Sequence, residues 1–383
     1  MTSLLICGAS TRAVADSAAR AGFSVTALDA FADLDQHPAV RAMSVVTNGH
    51  ATAAALARSA MSVDAEAVVY LSPFENHPRA IARIAAGRRL WGNAPDTLRA
   101  VRDPFTLARR LRSHSFAFPR SWNDWNDSYL VKPFRSGGGN RIRCWRGEPV
   151  PRTSYLQEQI EGTPGSIAFV AAGGDCVPVG FSRQLVGDPA FGAAGFRYCG
   201  NIVAPLDDSQ FCRGRALFDA ATTVARAVTS EFGLVGLNGI DFIARDAVPV
   251  LLEVNPRWSS SMELSERAFA TTLFQAHAAA CRSGTLPSFD LISGLQRSGA
   301  FGKAIVYARQ HSRIFDSAAW LDDPDVRDVP RSGQRFRPGQ PVCSVFATAP
   351  DSDSCYRALV ARADWVYLQL EQTTSNRSIT MAG

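Results

Sequence analysis

An aspartate, a glutamate and an asparagine in this 383-residue chain have the types and spacing of a site for a divalent cation and phosphate oxygens. Asp241 sits in the apolar run Leu237-Asn-Gly-Ile-Asp-Phe-Ile243. Glu253 and Asn255 sit in Val248-Pro-Val-Leu-Leu-Glu-Val-Asn-Pro256, with Ala-Arg-Asp-Ala as the turn between the runs. Paired as a tight antiparallel hairpin through 244–248, the two runs set Asp241 directly across from Glu253. Facing carboxylates repel unless something positive lies between them. Asn255, two residues past Glu253, shares its face and adds a neutral oxygen. Hard oxygen donors of this kind suit Mg²⁺ (or Mn²⁺), which keeps water and phosphate oxygens in its remaining positions. An exposed hairpin with acids on its solvent face has the same spacing. Leu251, Leu252 and Val254 make the strand half-buried, however, and Pro256-Arg257-Trp258 ends it with a cation beside the acids. That combination matches the electrostatic needs of phosphoryl transfer.

Of the 40 basic residues only Lys132 and Lys303 are lysine. In so Arg-biased a chain, a retained lysine marks a place for a compact point charge. Lys132 ends the run Tyr129-Leu-Val-Lys-Pro133, just before the glycine-rich Phe134-Arg-Ser-Gly-Gly-Gly-Asn140. A lysine there reaches phosphate oxygens while loop N–H groups wrap them. Gly137-Gly138-Gly139 taken alone reads as a plain mobile loop. Gln157-Glu158-Gln159-Ile160 ends a further strand, where backbone groups could meet an adenine edge and an apolar side chain its ring. An ordinary strand end reads the same way. Lys303, in Gly-Lys-Ala-Ile-Val-Tyr307, has no assigned role.

These pieces need elements to hold them. Ser3–Cys7, an Ala-rich helical stretch after Gly8-Ala-Ser-Thr-Arg12, and Gly22–Leu28 make a βαβ opening. It continues through Ala67–Leu71 and Ser-Pro-Phe-Glu-Asn76 and closes near Leu90-Trp-Gly-Asn93. Asp29 stands where a dinucleotide fold keeps its ribose acid, but no G-x-G-x-x-G precedes it, which weakens a nicotinamide reading. Residues 95–112 read as helical, and the Trp/Asn/Asp cluster at 121–128 as a loop. Tyr129–Pro133 and Arg141–Trp145 then form a hairpin across the glycines. Strands over 154–160 and 166–170, a helix over 214–232, the acidic hairpin, a helix over 262–283, and a linker from Gly284 to Gly299 follow. A last unit of short strands carries a helix near 353–364.

Composition narrows the class. Hydrophobic residues make up 46% and charged residues 20%, with a formal charge of +5, which is the balance of an ordinary globular protein of two or three domains. The basic residues are scattered, which argues against a nucleic-acid partner. The apolar run at Met1–Gly8 falls short of a signal-peptide core or a membrane span, so the expectation is a cytoplasmic protein with no membrane partner. The cysteines at 7, 144, 176, 199, 212, 281, 343 and 355 include no C-x-x-C pair and read as reduced thiols.

The order Lys-Pro before glycines, Gln-Glu-x-Ile at a strand end, Gly-Ile-Asp-Phe and Leu-Glu-Val-Asn-Pro-Arg resembles the ATP-grasp superfamily over about residues 1–285. The resemblance implies an α/β and α+β architecture. Its parts would be a Rossmann-like pre-ATP-grasp domain over 1–95, an ATP-grasp domain over 96–290 with a nucleotide lid at about 115–165, and a small mainly-β carboxylase-like extension over 295–383. It also implies roles. Lys132 would hold the α- and β-phosphates of ATP, and Ser136, Gly137, Gly138 and Gly139 would close over them. Glu158, Gln159 and Ile160 would be the adenine hinge. Asp241, Glu253 and Asn255 would bind Mg²⁺, and Arg257 would steady the γ-phosphate or an acyl phosphate. Two departures stand out. No phosphate lysine occurs in Val101-Arg-Asp-Pro-Phe105, leaving Arg102 as the stand-in, and Ser166 occupies the place of the usual ribose acid, with Glu161 as its candidate substitute.

Within the superfamily the chain is most similar to carboligases related to biotin carboxylase, near the tyramine–glutamate ligases of C1-carrier cofactor biosynthesis. Arg197-Tyr-Cys-Gly-Asn201 lies where acceptor contacts are expected, which makes Arg197 and Asn201 substrate candidates alongside Arg257. The implied activity is a carboxylate–amine ligase that forms an amide through an acyl phosphate, with ADP and phosphate as products and glutamate as one candidate substrate. Its partners would be a small-molecule carboxylate and an amine, and a homodimer is the default assembly. Rival readings are a bicarbonate-activating carboxylase-like enzyme, a non-catalytic ATP-binding regulator, and a dinucleotide oxidoreductase on residues 1–95.

Overall fold

A computed structural model describes residues 1–45, 51–120, 128–297 and 299–380. All but the last residue of the expected loop at 121–128 lies outside them. The chain opens with a five-stranded parallel sheet in the order Val40–Ser44, Ser24–Asp29, Ser3–Cys7, Ala67–Tyr70 and Arg89–Leu90. Its central strands are apolar throughout because helices cover both faces. The strand Val40–Ser44 is not legible as one, since Arg41 and Ser44 break its apolar run and most of it is half-exposed. Asp29 is fully buried and holds the turn after its strand: its carboxylate accepts from Thr11 Oγ1 at 2.8 Å and from the Phe31 and Ala32 N–H groups at 3.1 and 2.8 Å. Those bonds occupy both oxygens of the would-be ribose acid.

A small antiparallel sheet follows, in the order Arg143–Cys144, Tyr129–Pro133, Ser154–Glu158. The first two strands are the expected hairpin, shortened to two pairs beyond the glycines, Leu130 with Cys144 and Val131 with Arg143.

The main sheet has eight strands, ordered Val248–Asn255, Gly236–Arg245, Thr163–Ala172, Asp175–Val186, Tyr198–Val203, Ala300–Tyr307, Pro341–Ala349 and Val326–Arg327. One face packs on the helix Gly214–Phe232, whose buried Leu217, Ala221, Val224, Ala225 and Val228 recur at helical spacing and meet Phe169, Phe181, Ile240, Phe242 and Val254. Gly233, at φ +62°, ends that helix in the left-handed conformation that glycine adopts without strain. Alternation along Gly236–Arg245 puts Ile240, Phe242 and Ala244 into the core and turns Asp241 and Ile243 to the opposite face.

Several expectations change. The helical stretch at 95–112 is two helices, Pro95–Val101 and Pro104–Arg110, because Pro104 cannot continue the first and starts the second. Residues 262–283 are likewise two, Ser260–Phe269 and Leu273–Ser283, parted at Ala270 with φ +47°. The linker from Gly284 to Gly299 contains the helix Leu291–Arg297. Asp175–Val186 was not foreseen as a strand, since Pro178 and Gly180 interrupt it, and the structure accommodates them with an irregular register between those residues. The C-terminal strands Ala300–Tyr307 and Pro341–Ala349 extend the main sheet, and the final helix runs over Ser352–Thr380, well past the expected 353–364. No described helix is long and apolar enough to cross a membrane.

Candidate active site

The acidic hairpin has the expected pairing at its working end. Asp241 lies opposite Glu253, and Gly239 opposite Asn255. Nearer the turn, Phe242 pairs with Leu251, so Leu252 is an extra residue on its strand. That bulge sets both Leu252 and Glu253 along one cavity, of about 510 Å³, between the main and small sheets.

The polar partners are specific. Asp241 accepts hydrogen bonds from Gln184 Nε2 and Asn255 Nδ2, both at 2.8 Å. Glu253 accepts from Arg102 Nη1 at 3.1 Å. Burial and the facing Glu253 charge raise the Asp241 carboxyl above its ordinary range. Burial acts the same way on Glu253, but Arg102, Lys132 and Arg257 outweigh it and hold that group ionised. Lys132 is buried at 8% exposure and has no ion pair within 4 Å among the described residues. Burial, with Arg102 nearby, lowers its pKa against the pull of Glu253 and Asp241.

This donor set fits a magnesium ion. Two carboxylates face each other across the hairpin, and their repulsion adds to burial in raising Asp241. Among the described residues no three His, Cys, Asp or Glu side chains are grouped to hold a metal by themselves. An ion here therefore needs further oxygens, from phosphates and water. Asn255 turns its amide nitrogen to Asp241 and its oxygen toward Arg257 Nη2, 3.5 Å away, so a rotation of the amide brings the oxygen to the acids.

The glycine loop lies over the same cavity. Ser136, Gly137, Gly138 and Gly139 all line it, and the Tyr198 N–H donates to Gly138 O at 3.1 Å. Gly139, at φ +73°, has no room for a side chain, since a Cβ would fall 1.7 Å from Phe196 O. At the strand end, Glu158, Gln159 and Ile160 line the cavity. The Glu158 and Gln159 N–H groups are already bound to Arg120 O and Ser128 O, while the Ile160 N–H has no backbone partner among the described residues.

Two expected residues lie apart. Glu161 is exposed and does not line the cavity, because the chain turns outward there before entering the strand at Thr163. The Arg197 guanidinium is drawn to Gly339 O at 2.5 Å and stacks over Tyr307, away from the cavity that its neighbours Phe196 and Tyr198 line. Asn201 does line it, buried, with its amide donating to Ser182 Oγ at 2.8 Å and its oxygen accepting from Tyr198 Oη.

Arg102, the expected stand-in for the phosphate lysine, lines the cavity, whereas Gln184 and Glu75 join the site without a sequence signal. Arg102 Nη2 donates to Ser136 O at 3.0 Å, tying the glycine loop to Glu253. Gln184, from the unforeseen strand, orients Asp241. Glu75 lies with its Oε1 2.8 Å from Arg257 Nη2. It comes from the segment Ser-Pro-Phe-Glu-Asn76, where only its acidic type could have drawn notice.

Residues 101–261 match the ATP-grasp domain family, and that span begins one residue before Arg102 and ends with the serines that line the cavity. The middle of the chain therefore carries an ATP-grasp domain. An uncharacterized protein of Methanocaldococcus jannaschii is 20% identical over 292 residues, covering 72% of this chain and 66% of that protein. Among solved structures, Rhizobium etli pyruvate carboxylase superposes with a TM-score of 0.71 at 14% identity over 95% of this chain, which spans 37% of that longer one. Campylobacter jejuni biotin carboxylase gives 0.69 at 12% over 93% and 89% of the two chains. An L-amino acid ligase of Bacillus licheniformis gives 0.67 at 15% over 95% and 97%. At these identities the likeness is one of fold, shared between carboxylases and an L-amino acid ligase.

Proposed function

We propose that this protein is a Mg²⁺-dependent carboxylate–amine ligase, producing ADP and phosphate. The observation that carries the reading is the in-register Asp241–Glu253 pair, set in one cavity with Lys132, Arg102 and Arg257. Lys132 neutralises the α- and β-phosphates, the Ser136–Gly139 loop covers them, and Ile160 receives the adenine. Mg²⁺, held by Asp241, Glu253 and Asn255, draws charge from the phosphate oxygens when bound. The substrate carboxylate oxygen attacks the γ-phosphorus, the bond to the β-phosphate oxygen breaks, and ADP leaves. Arg257 steadies the transferred group as charge develops on it. The amine then attacks the acyl phosphate carbon and phosphate departs, giving an amide. The chain's contribution is positioning and charge neutralisation, with no covalent nucleophile of its own.

The acceptor end of the cavity separates this reading from bicarbonate activation. Around Asp241 the wall is made of Ser166, Gln184, Tyr198, Asn201, Ser259 and Ser260, with Arg257 as the cation beside them. Neutral hydroxyl and amide groups suit an organic acid and an amine better than a small anion needing several positive charges. Glutamate, a role in C1-carrier cofactor biosynthesis, a cytoplasmic location, and the division at residues 95 and 290–295 belong to the same proposal.

The test is ADP and phosphate release with Mg-ATP against a panel of amino acids and amines, with bicarbonate as a separate arm. Turnover that needs one acid plus one amine, and is lost in Asp241→Ala and Glu253→Ala, supports the ligase. Turnover with bicarbonate alone, or ATP binding with no stimulated release, sinks it.

A further inference from the structure

Glu75 is the most completely buried acid near the cavity, with a side chain at 0% exposure. It sits in the short turn Phe74–Asn76, which follows a central strand of the N-terminal parallel sheet. Neither carboxylate oxygen has a well-aligned hydrogen bond among the described residues. Its compensation is charge: Arg257 Nη2 lies 2.8 Å away, and Arg102 acts on it as well. Burial opposes ionisation, yet these cations hold the Glu75 pKa below its ordinary range. A buried carboxylate with so little hydrogen bonding is costly unless paired, so its place is explained by the arginine it faces.

Arg257 is held from two sides. Its Nη1 donates to Trp258 O at 2.9 Å, and its Nη2 leans on Glu75 at 2.8 Å, with Asn255 Oδ1 farther off at 3.5 Å. The Nε has no partner among the described residues, although the side chain lines the cavity at only 12% exposure. The guanidinium is thus fixed with donor capacity in reserve. The same turn reaches the glycine loop: Asn76 Nδ2 donates to Ser136 O at 3.3 Å, and Arg102 Nη2 reaches both Ser136 O and Asn76 Oδ1. Gly137 packs beside it, where a Cβ would lie 4.0 Å from Glu75 Oε1.

We propose that Glu75 is a positioning residue of the ATP site, through which the N-terminal α/β part orients Arg257 toward the third phosphate. The proposal rests on the ligase reading for the role of Arg257. Glu75 touches neither substrate nor nucleotide and acts through the arginine. A long cationic side chain with free rotamers would lose much of its effect on a phosphate, since a displacement of about 1 Å at a reacting group costs on the order of 10²-fold in rate.

The experiment is calorimetric titration of the full chain with Mg²⁺ plus a non-hydrolysable ATP analogue, and separately with Mg-ADP. The readout is the ratio of the two affinities, which a merely structural residue does not move. Arg257→Ala is expected to lower the preference for the triphosphate by about tenfold, the worth of a charge-assisted hydrogen bond. Glu75→Gln is expected to lower it by a similar factor, with no further loss in the double variant. Glu75→Asp, which keeps the charge but withdraws it from Nη2, gives an intermediate loss and serves if the glutamine variant does not fold. An unchanged ratio in the Glu75 variants, a raised one, or additive losses overturn the proposal alone. A wild-type protein that binds neither nucleotide overturns the ligase reading, and the role of Glu75 with it.

Discussion

Lys303 Nζ lies 2.6 Å from Glu263 Oε2, with both side chains below 10% exposure. The other Glu263 oxygen is 2.5 Å from Arg12 Nη2, and Arg12 also meets Asp328 and Asp35 at 2.8 and 3.3 Å. One carboxylate thus ties the first helix, the helix just past Arg257, and the strand Ala300–Tyr307. The lysine that stood out in an Arg-biased chain is part of the frame behind the site. Replacing Glu263 by Gln leaves Lys303 buried without its counter-charge, and a loss of about 3–5 kcal/mol is expected by urea titration. Lys303→Met should cost less, because Arg12 continues to neutralise Glu263. Equal losses in the two variants would contradict that division.

The Asp241–Glu253 repulsion is a liability when no cation is bound. Asp241→Asn removes one of the facing charges while keeping an oxygen for the Gln184 hydrogen bond. It is expected to raise the stability of the nucleotide-free protein by about 1 kcal/mol and to abolish Mg²⁺-dependent turnover. Thermal melts with and without Mg-ATP check both halves. In the wild type, adding the metal and nucleotide should raise the midpoint, and in the variant it should not.

Gly139 gives a sharper test of the loop. A methyl group there meets Phe196 O and the residue is held at φ +73°, so Gly139→Ala shifts the loop and not the cores, which lie elsewhere. Nucleotide affinity is expected to fall on the order of tenfold, from strain of about 1–3 kcal/mol, with the melting midpoint nearly unchanged. Parallel titration and melting curves separate this from general unfolding.

Legibility followed the range over which the information acts. The Asp241–Glu253 pairing was readable because both residues belong to one hairpin, where period and turn fix the register; the bulge at Leu252 changes the pairing only nearer the turn. That Lys132 and the glycines lie together along one cavity was readable for the same local reason. Glu75 and Gln184 were not, because each reaches the site from a distant segment, and nothing in their own surroundings distinguishes them from any acid or amide. Arg197 was misplaced since its spacing near Asn201 says nothing about the carbonyl of Gly339 that captures its guanidinium.

His277 links stability to acidity. It is buried at 4% exposure, and its Nδ1 accepts the Leu237 N–H at 2.9 Å, a bond that only the neutral ring can make. Burial lowers its pKa from 6.5 to about 4, with a backbone hydrogen bond to Trp91 acting weakly the other way. Because the unfolded chain takes up this proton more readily than the folded one, the contribution is complete above about pH 6.5. It is lost as pH falls toward 4, amounting to about 3 kcal/mol across the window. His277→Asn, which keeps a neutral acceptor, is expected to flatten the fall in melting midpoint between pH 6.5 and 4 while lying below the wild type at pH 8. A variant whose midpoint falls as steeply as the wild type's would place the acid sensitivity in other groups.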